Sequence, residues 1–154
     1  MTVSVSADGT IAALNRLRDV LIQDADEIVK DTARYAKKQA DVSRLYEDKT
    51  GRLRQSTVAE FVRAEHRSFI ENSTPYARFV EEGQRPHRIE ARDAPMLRFY
   101  WEKLGRVVEF RSVEHPGTKA RPVFQAAGYL GHTFLAMRLT ERISQSVSSF
   151  NQAK

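Results

Sequence analysis

The stretch YEDKTGRLRQSTVAEF, residues 46–61, is where the pattern of the chain changes from helical to extended. Upstream of it, apolar residues recur every three or four positions, whereas downstream they alternate with polar residues as in a strand. Gly51 stands at the change, and glycine gives the backbone the conformational freedom that a sharp turn requires. The stretch therefore predicts a junction between a charged helical region and a β-strand, with Leu53 packed under the sheet.

An apolar stripe upstream of the junction predicts a long helix from about Thr10 to Ala40. The stripe consists of Ile11, Leu14, Leu17, Leu21, Ala25, Ile28, Thr32 and Tyr35. Asp8 or Thr10 can cap this helix, because both side chains carry an oxygen that accepts a backbone hydrogen bond. A helix with one apolar stripe has to bury it against a sheet or a neighbouring element. Residues 1–9 predict a flexible arm.

Two pairs of extended runs downstream of the junction predict two β-hairpins. The first pair is Ser56–Arg63 and His66–Glu71, which are rich in Val, Phe, Ile and Thr and are joined by a turn near residues 64–65. The second pair is Leu97–Trp101 and Arg106–Val113. Adjacent strands joined by short turns pair in the antiparallel sense.

A short helix and a long loop lie between the two hairpins. The short helix is predicted over Tyr76–Glu82, with a residue of the Ser73-Thr74 pair as its N-cap and Gly83 as its stop. Pro75 suits the first turn of this helix. Residues 84–96 predict a long polar loop with a short strand at His87–Ala91.

Pro122 opens a last helix, which completes the predicted layout. Its apolar stripe consists of Phe124, Ala127, Leu130, Phe134, Met137, Ile143, Val147 and Phe150. The order of elements predicts an α+β fold, in which the long N-terminal and C-terminal helices pack on an antiparallel β-sheet with the short helix between hairpins. The length of 154 residues predicts a single domain over residues 1–154.

The residues that usually carry chemistry do not converge on a catalytic or metal site. The chain has no cysteine, so it has no disulfide framework, no thiolate nucleophile and no cysteine zinc site. Its 4 histidines lack zinc-ligand spacing. No Gly-x-Ser-x-Gly elbow and no glycine-rich phosphate loop occur. We therefore expect no catalytic residues, no metal and no cofactor, and a binding or structural protein rather than an enzyme.

The positive charge of the chain is mixed with acidic residues. The net charge is +5, and arginine outnumbers lysine. Arginine suits polar protein interfaces as well as phosphates. Because no long uninterrupted basic run occurs, the pattern favours a solvated mixed surface over a dedicated nucleic-acid patch.

Three separated segments carry a resemblance to a known family. They are Thr50-Gly51-Arg52-Leu53-Arg54 before a strand, Pro75-Tyr76-Ala77-Arg78-Phe79-Val80-Glu81-Glu82-Gly83, and His115-Pro116-Gly117-Thr118 followed by Ala120-Arg121-Pro122-Val123-Phe124. In this order they resemble the head–tail joining, or tail-completion, proteins of the neck of long-tailed bacteriophages. The chain departs from the family pattern where Val123 displaces the aromatic residue after the second proline.

The resemblance implies a structural virion protein without catalysis, forming part of a ring in the neck that completes the tail and joins it to the head connector. It implies other copies of the chain, the head connector or stopper, and the tail tube or tail terminator proteins as partners. Phage DNA would pass nearby without specific binding, no membrane would be involved, and assembly in the host bacterial cytoplasm would place the chain in the virion neck or tail.

The resemblance also implies a set of motif and interface residues. They are Thr50, Gly51, Arg52, Leu53, Arg54, Tyr76, Ala77, Glu81, Gly83, Arg85, Arg88, Arg92, His115, Pro116, Gly117, Arg121, Pro122 and Phe124. We expect Arg52 and Arg54 to be exposed near the start of the first hairpin and to pair with acids of a neighbouring subunit.

Other interpretations of the sequence stay open. The chain can be a tail terminator that caps the tail tube. It can also be a basic nucleic-acid-binding module, whose binding would weaken steeply as salt rises. The residues for that module are Arg52, Arg54, Arg85, Arg88 and Arg92. A third interpretation is a hydrolase that uses Glu81, Glu82 and His115.

Overall fold

The structure, a computed structural model, describes residues 7–47 and 50–152. The predicted arm lies largely outside these residues. The elements in chain order are α1 (Asp8–Val42), α2 (Arg52–Gln55), β1 (Thr57–Val62), β2 (Arg67–Asn72), α3 (Ala77–Glu82), β3 (His87–Glu90), β4 (Leu97–Trp101), β5 (Arg106–Phe110), β6 (Ser112–His115) and α4 (Val123–Gln152). The predicted α+β class is confirmed.

The chain divides into two compact units. The terminal unit combines Met1–Thr74 with Val123–Lys154, and the central unit is Pro75–Pro122. The terminal unit holds both long helices and the first hairpin, and the central unit holds the short helix α3 and the remaining strands. The described strands form three two-stranded antiparallel sheets instead of one continuous sheet.

Helices α1 and α4 pack against each other in the antiparallel sense, because later residues of α1 meet earlier residues of α4. A Cβ atom on Gly131 would lie 3.2 Å from the Cβ of Ala36. One turn away, the rings of Tyr35 and Phe134 stack with centroids 4.5 Å apart. Small residues thus bring the two backbones close, and they do so next to the stacked rings.

The buried core of the terminal unit lies where α1 ends and α4 begins. Ala40, Val123 and Ala127 are buried there, and Tyr46, Ile70 and Phe124 pack around them. The two predicted stripes are only partly buried. Those of their residues that are exposed are Ile11, Leu14, Leu130, Met137, Ile143 and Val147. The expectation that α1 buries its stripe against a sheet or a neighbouring element is therefore met over the second half of the helix and not over the first.

The hairpin β1–β2 confirms the first predicted hairpin. Its register runs from Thr57 opposite Asn72 to Val62 opposite Arg67. The turn is a short 3₁₀ helix followed by His66, which has a positive φ of 47°. The hairpin packs against α1, and Ile70 reaches the core of the terminal unit.

The predicted helix caps are wrong at both α1 and α3, although both helices are present. Ala7 is the N-cap of α1 and Tyr76 is the N-cap of α3, and neither makes a side-chain capping bond with a described residue. Pro75 precedes α3 and does not lie within its first turn. Thr74 does not occupy the cap position, and its hydroxyl donates to Asn72 Oδ1 at 2.5 Å. The predicted stop at Gly83 is confirmed.

The second strand of the second predicted hairpin, Arg106–Val113, is divided between two sheets. β4 and β5 pair as predicted, but the extended run is interrupted at Arg111, and β6 pairs with β3. Pro95 has no amide hydrogen with which to extend the ladder before β4. The backbone carbonyl of Arg111 instead accepts from the amide of Ala91 at 3.1 Å. The predicted short strand within residues 84–96 is confirmed as β3, and β6 is its partner.

No helix within residues 7–47 and 50–152 combines the length and the apolar character that crossing a bilayer requires.

Candidate interaction surfaces

The first motif segment ties the start of the first hairpin to its end. Gly51 has a left-handed φ of 71° and stands at the N-cap of α2. Leu53 is buried, as predicted, and its backbone carbonyl accepts from Asn72 Nδ2 at 2.6 Å and from Thr57 Oγ1 at 2.9 Å. Asn72 Nδ2 also donates to Thr57 Oγ1 at 2.8 Å. The segment therefore links the two ends of the hairpin, and we name the hydrogen-bonded group of Leu53, Thr57 and Asn72 the clasp. Thr50 is exposed.

Arg54 caps the C-terminus of α1. Its guanidinium donates to the backbone carbonyl of Asp41 and, at 3.2 Å, to that of Ser43. It also lies over the ring of Tyr46, 5.4 Å from the centroid. The last carbonyls of a helix lack partners within the helix, and a planar guanidinium can serve two of them at once. The expectation of an exposed Arg54 is therefore wrong, whereas Arg52 is exposed as expected.

The second and third motif segments build one structure in the central unit. The amides and carbonyls of Gln84 and Thr118 exchange hydrogen bonds of 2.8 and 2.9 Å. The amide of Arg121 donates to the carbonyl of Val80 at 2.9 Å. The end of α3 is thus joined by its backbone to the loop that follows β6.

Two glycines make this joint possible. Gly83 and Gly117 have φ values of 73° and 78°, a region that side chains rarely adopt. A Cβ atom on Gly83 would lie 2.6 Å from the Ala120 nitrogen, and one on Gly117 would lie 2.2 Å from the Gln84 oxygen. The glycines of both segments are therefore required by close backbone approach, whereas the sequence pattern explained Gly83 only as a helix stop.

His115 also contacts the loop that is joined to the end of α3. Its Nδ1 accepts from the amide of Gly117 at 3.1 Å. Across the β3–β6 ladder, its ring lies 5.0 Å from that of His87, whose Nδ1 contacts the carbonyl of Arg85 at 3.0 Å. Because a carbonyl only accepts, His87 Nδ1 carries the proton in this contact. The two rings are therefore held in different tautomers when neutral.

The acidic residues of the hydrolase interpretation differ in their surroundings. Glu82 pairs with Arg78 at 2.9 Å, one turn back on α3. Glu81 is half-buried. Nδ1 of His115 is already occupied by the Gly117 amide. Glu82 and His115 are thus already engaged in contacts within the central unit.

The predicted basic residues of the central unit are not equivalent. Arg88 donates to Ser112 Oγ at 2.9 Å and pairs with Glu90 at 3.1 Å. Arg85, Arg92 and Arg121 are exposed. The remaining predicted residues are placed as follows: Tyr76, Pro116 and Pro122 are exposed, Ala77 is buried, and Phe124 is half-buried against the core of the terminal unit.

Two ion-pair sites in the terminal unit escaped the sequence analysis. Asp26 is buried on α1, and its Oδ1 lies 2.6 Å from Nδ1 of His66 at the hairpin turn. Asp24 accepts from Nε of Arg142 on α4 at 2.7 Å, and this hydrogen bond raises the pKa of Arg142 above its usual value. These acids lie beside the apolar stripe of α1, so the sequence offered no signal for their distant partners.

An apolar surface is open on the half of the helix pair that lies away from the hairpin. Ile11 and Leu14 are 54% and 51% exposed on α1, and Ile143 and Val147 are 51% and 47% exposed on α4. A groove of about 630 Å³ between the two helices runs along this half and includes Leu17. Exposed large apolar side chains gathered on one part of a protein are typical of a protein contact. The two stripes in the sequence predict surface that must be covered, but they do not show whether the covering element belongs to the same chain.

Within the part of the chain that the structure describes, no group of three or more His, Asp or Glu side chains is arranged to hold a metal ion. No protein-family model, no curated protein and no solved structure matches this chain at a significant level.

Proposed function

We propose that this chain is a structural virion protein of a tailed bacteriophage that forms part of a ring in the neck, completes the tail and joins it to the head connector. The observation that carries the proposal is the joint between the second and third motif segments. Segments matched separately along the sequence are held together through Gly83, Gly117 and the Gln84–Thr118 hydrogen bonds. This supports treating them as parts of one family pattern rather than as independent coincidences.

The open apolar surface supports an assembling protein. Ile11, Leu14, Ile143 and Val147 would be covered if another protein packed on the outer half of the helix pair. Covering apolar side chains is the main favourable term in most protein association. A contact between two different surfaces of identical subunits closes into a ring when the rotation permits. Further copies of the chain, the connector or stopper, and the tail tube or tail terminator are the proposed partners.

The proposed role is binding without catalysis and without a cofactor. His115 and Arg54 are engaged in contacts that hold the fold, and Glu82 pairs with Arg78 on the surface. Arg88 is likewise paired within the chain. With a net charge of +5 and acids among its arginines, the chain is proposed to let phage DNA pass without gripping it. Its proposed location is the neck or tail of the virion, after assembly in the host cytoplasm.

The test is a phage in which the gene for this chain carries an early stop codon. We expect filled heads and separate tails in lysates viewed by negative-stain electron microscopy, and joined particles when the chain is supplied from a plasmid. Tails of irregular length would instead identify a tail terminator. Intact infectious particles without the chain would refute the proposal.

A further inference from the structure

One face of α1 is covered over its second half and open over its first half. Residues at steps of three or four, Val29, Ala33 and Ala36, line a cavity of about 320 Å³ together with residues of β2. Asp26 bonds the hairpin turn at the edge of this covered region. The same face continues toward the N-terminus as Ile11, Leu14, Arg18, Ile22 and Ala25. We name these five residues the open stripe.

The open stripe is apolar apart from one basic residue. Leu14 and Ile22 are 51% and 47% exposed, and they flank Arg18 on the helix surface. The ion-pair partner of Arg18 among the described residues is its neighbour Asp19, and the two side chains are 63% and 61% exposed. An exposed pair of this kind contributes little to stability. Arg18 can therefore turn toward an acid on another protein.

The first hairpin presents a matching outer face. The register places Val58 opposite Glu71 and Glu60 opposite Phe69, and paired side chains point to the same side of a two-stranded sheet. Thr57, Ile70 and Asn72 point to the other side, toward the clasp and the core. We name the first set, with Val62 and Arg67, the outer hairpin face. Val58 is 45% exposed, and Glu60 and Glu71 are exposed.

The charges of the two surfaces are complementary. On the outer hairpin face, Arg67 pairs with Glu65 at 2.9 Å, whereas Glu60 and Glu71 have no ion-pair partner among the described residues. The outer hairpin face thus carries two such acidic residues among apolar side chains, and the open stripe carries one basic residue among apolar side chains. An antiparallel pairing of two open stripes centred on Arg18 would instead place like charges together, which disfavours it.

We propose that the outer hairpin face of one copy of this chain packs on the open stripe of the next copy, with Arg18 facing Glu60 and Glu71. This inference rests on the proposed function, since it names the contact between subunits of the ring. α1 would then be covered along its length by two hairpins, its own over the second half and a neighbour's over the first. The contact joins two different surfaces, so it propagates from copy to copy and can close into a ring.

The absence of cysteine from the chain permits a direct test by cross-linking. In the double variant Ile22→Cys with Val58→Cys, a short bis-maleimide should produce a ladder of covalent oligomers on a denaturing gel. The matched control combines Ile22→Cys with Val107→Cys, because Val107 is also exposed on a strand but lies on β5 of the central unit. The control should give no ladder. The single variant Ile22→Cys should give monomers, and dimers from it would indicate pairing of two open stripes and overturn the inference.

The same samples are compared by light scattering, alone and with purified connector and tail-tube proteins of a tailed phage. Oligomers or joined complexes without a ladder would overturn this contact and leave the proposed function standing. A chain that stays monomeric and binds neither protein would refute both. A ladder that is accompanied by oligomers supports both.

Charge exchange tests the role of Arg18 separately. Arg18→Glu should weaken self-association by about tenfold, because like charges would face each other across the contact. Glu60→Arg with Glu71→Arg should do the same, and the triple variant should recover most of the loss. All of these side chains are exposed, so circular dichroism should show unchanged folding. A triple variant as weak as its parents would overturn the pairing of Arg18 with the two acids.

Discussion

Gly117 lies against Gln84 so closely that a Cβ atom on the glycine would be 2.2 Å from the Gln84 carbonyl oxygen. The contact joins two segments that are separated in sequence by four strands and their connections. We expect Gly117→Ala to destabilise the central unit by more than about 2 kcal/mol, because strain at positive φ adds to the clash. The single tryptophan, Trp101, lies on β4, so its fluorescence during urea unfolding reports on this unit.

Gly105→Ala is the matched control for that substitution. Gly105 also has a positive φ, 63°, but no described atom lies within 4 Å of the position of its Cβ. The alanine there should cost only about 1 kcal/mol, from backbone strain alone. Equal losses in the two variants would show that the close approach of Gly117 to Gln84 does not matter.

Removing the guanidinium of Arg54 should loosen the end of α1. Arg54→Met keeps an unbranched apolar stem but leaves the carbonyls of Asp41 and Ser43 without this donor. Since hydrogen bonds from charged groups contribute about 1.5–3 kcal/mol, we expect a loss of that order in the free energy of unfolding. Far-UV circular dichroism during urea unfolding measures it.

Arg52→Met serves as the control for Arg54→Met. Arg52 is exposed, and substitutions at such positions usually change stability by less than about 0.5 kcal/mol. A larger loss from Arg52→Met than from Arg54→Met would contradict the capping role of Arg54.

The contact between Gly131 and Ala36 should be sensitive to volume. Gly131 is buried, and a Cβ atom there would already lie 3.2 Å from the Ala36 Cβ. Gly131→Leu should therefore cost about 1–3 kcal/mol through overpacking of the two helices. Thermal unfolding followed by circular dichroism provides the measurement.

Gly128→Leu is the comparison within the same helix. No described atom lies within 4 Å of the position of a Cβ on Gly128, so a side chain there meets open space. Replacing a helical glycine should then stabilise α4 by up to about 1 kcal/mol. If both leucine variants behave alike, the close packing of α1 on α4 at Gly131 is refuted.

The chain should bind DNA only weakly, because Arg54 and Arg88 are already engaged in contacts of the fold. We expect no binding of labelled duplex DNA at physiological salt in a fluorescence anisotropy titration, and a shallow dependence on salt below it. A module that neutralises several phosphates would instead lose affinity steeply as salt rises. A steep salt slope that Arg85→Gln with Arg92→Gln reduces would favour the nucleic-acid interpretation.

The type and order of most elements followed from local patterns. The stripe on α1, the alternation on β1 and β2, and the stop at Gly83 each reflect forces between residues that are near in sequence. The hydrophobic stripe on α1 also predicted a partner surface, but it did not distinguish a partner within the chain from one outside it. The stripe on α1 contains both cases, because its second half is buried within the chain and its first half is exposed.

The sequence by itself determined the α+β class, the junction at Gly51 and the glycines that its turns require, because periodicity and backbone freedom act locally. Only the tertiary structure decided that Arg54 caps the C-terminus of α1 and that β6 pairs with β3 instead of continuing β5. It also decided that the second and third motif segments are hydrogen-bonded to each other. These outcomes depend on which backbone groups lack partners once the elements have packed. Such groups can be separated by tens of residues, and a local pattern does not record which of them will come together.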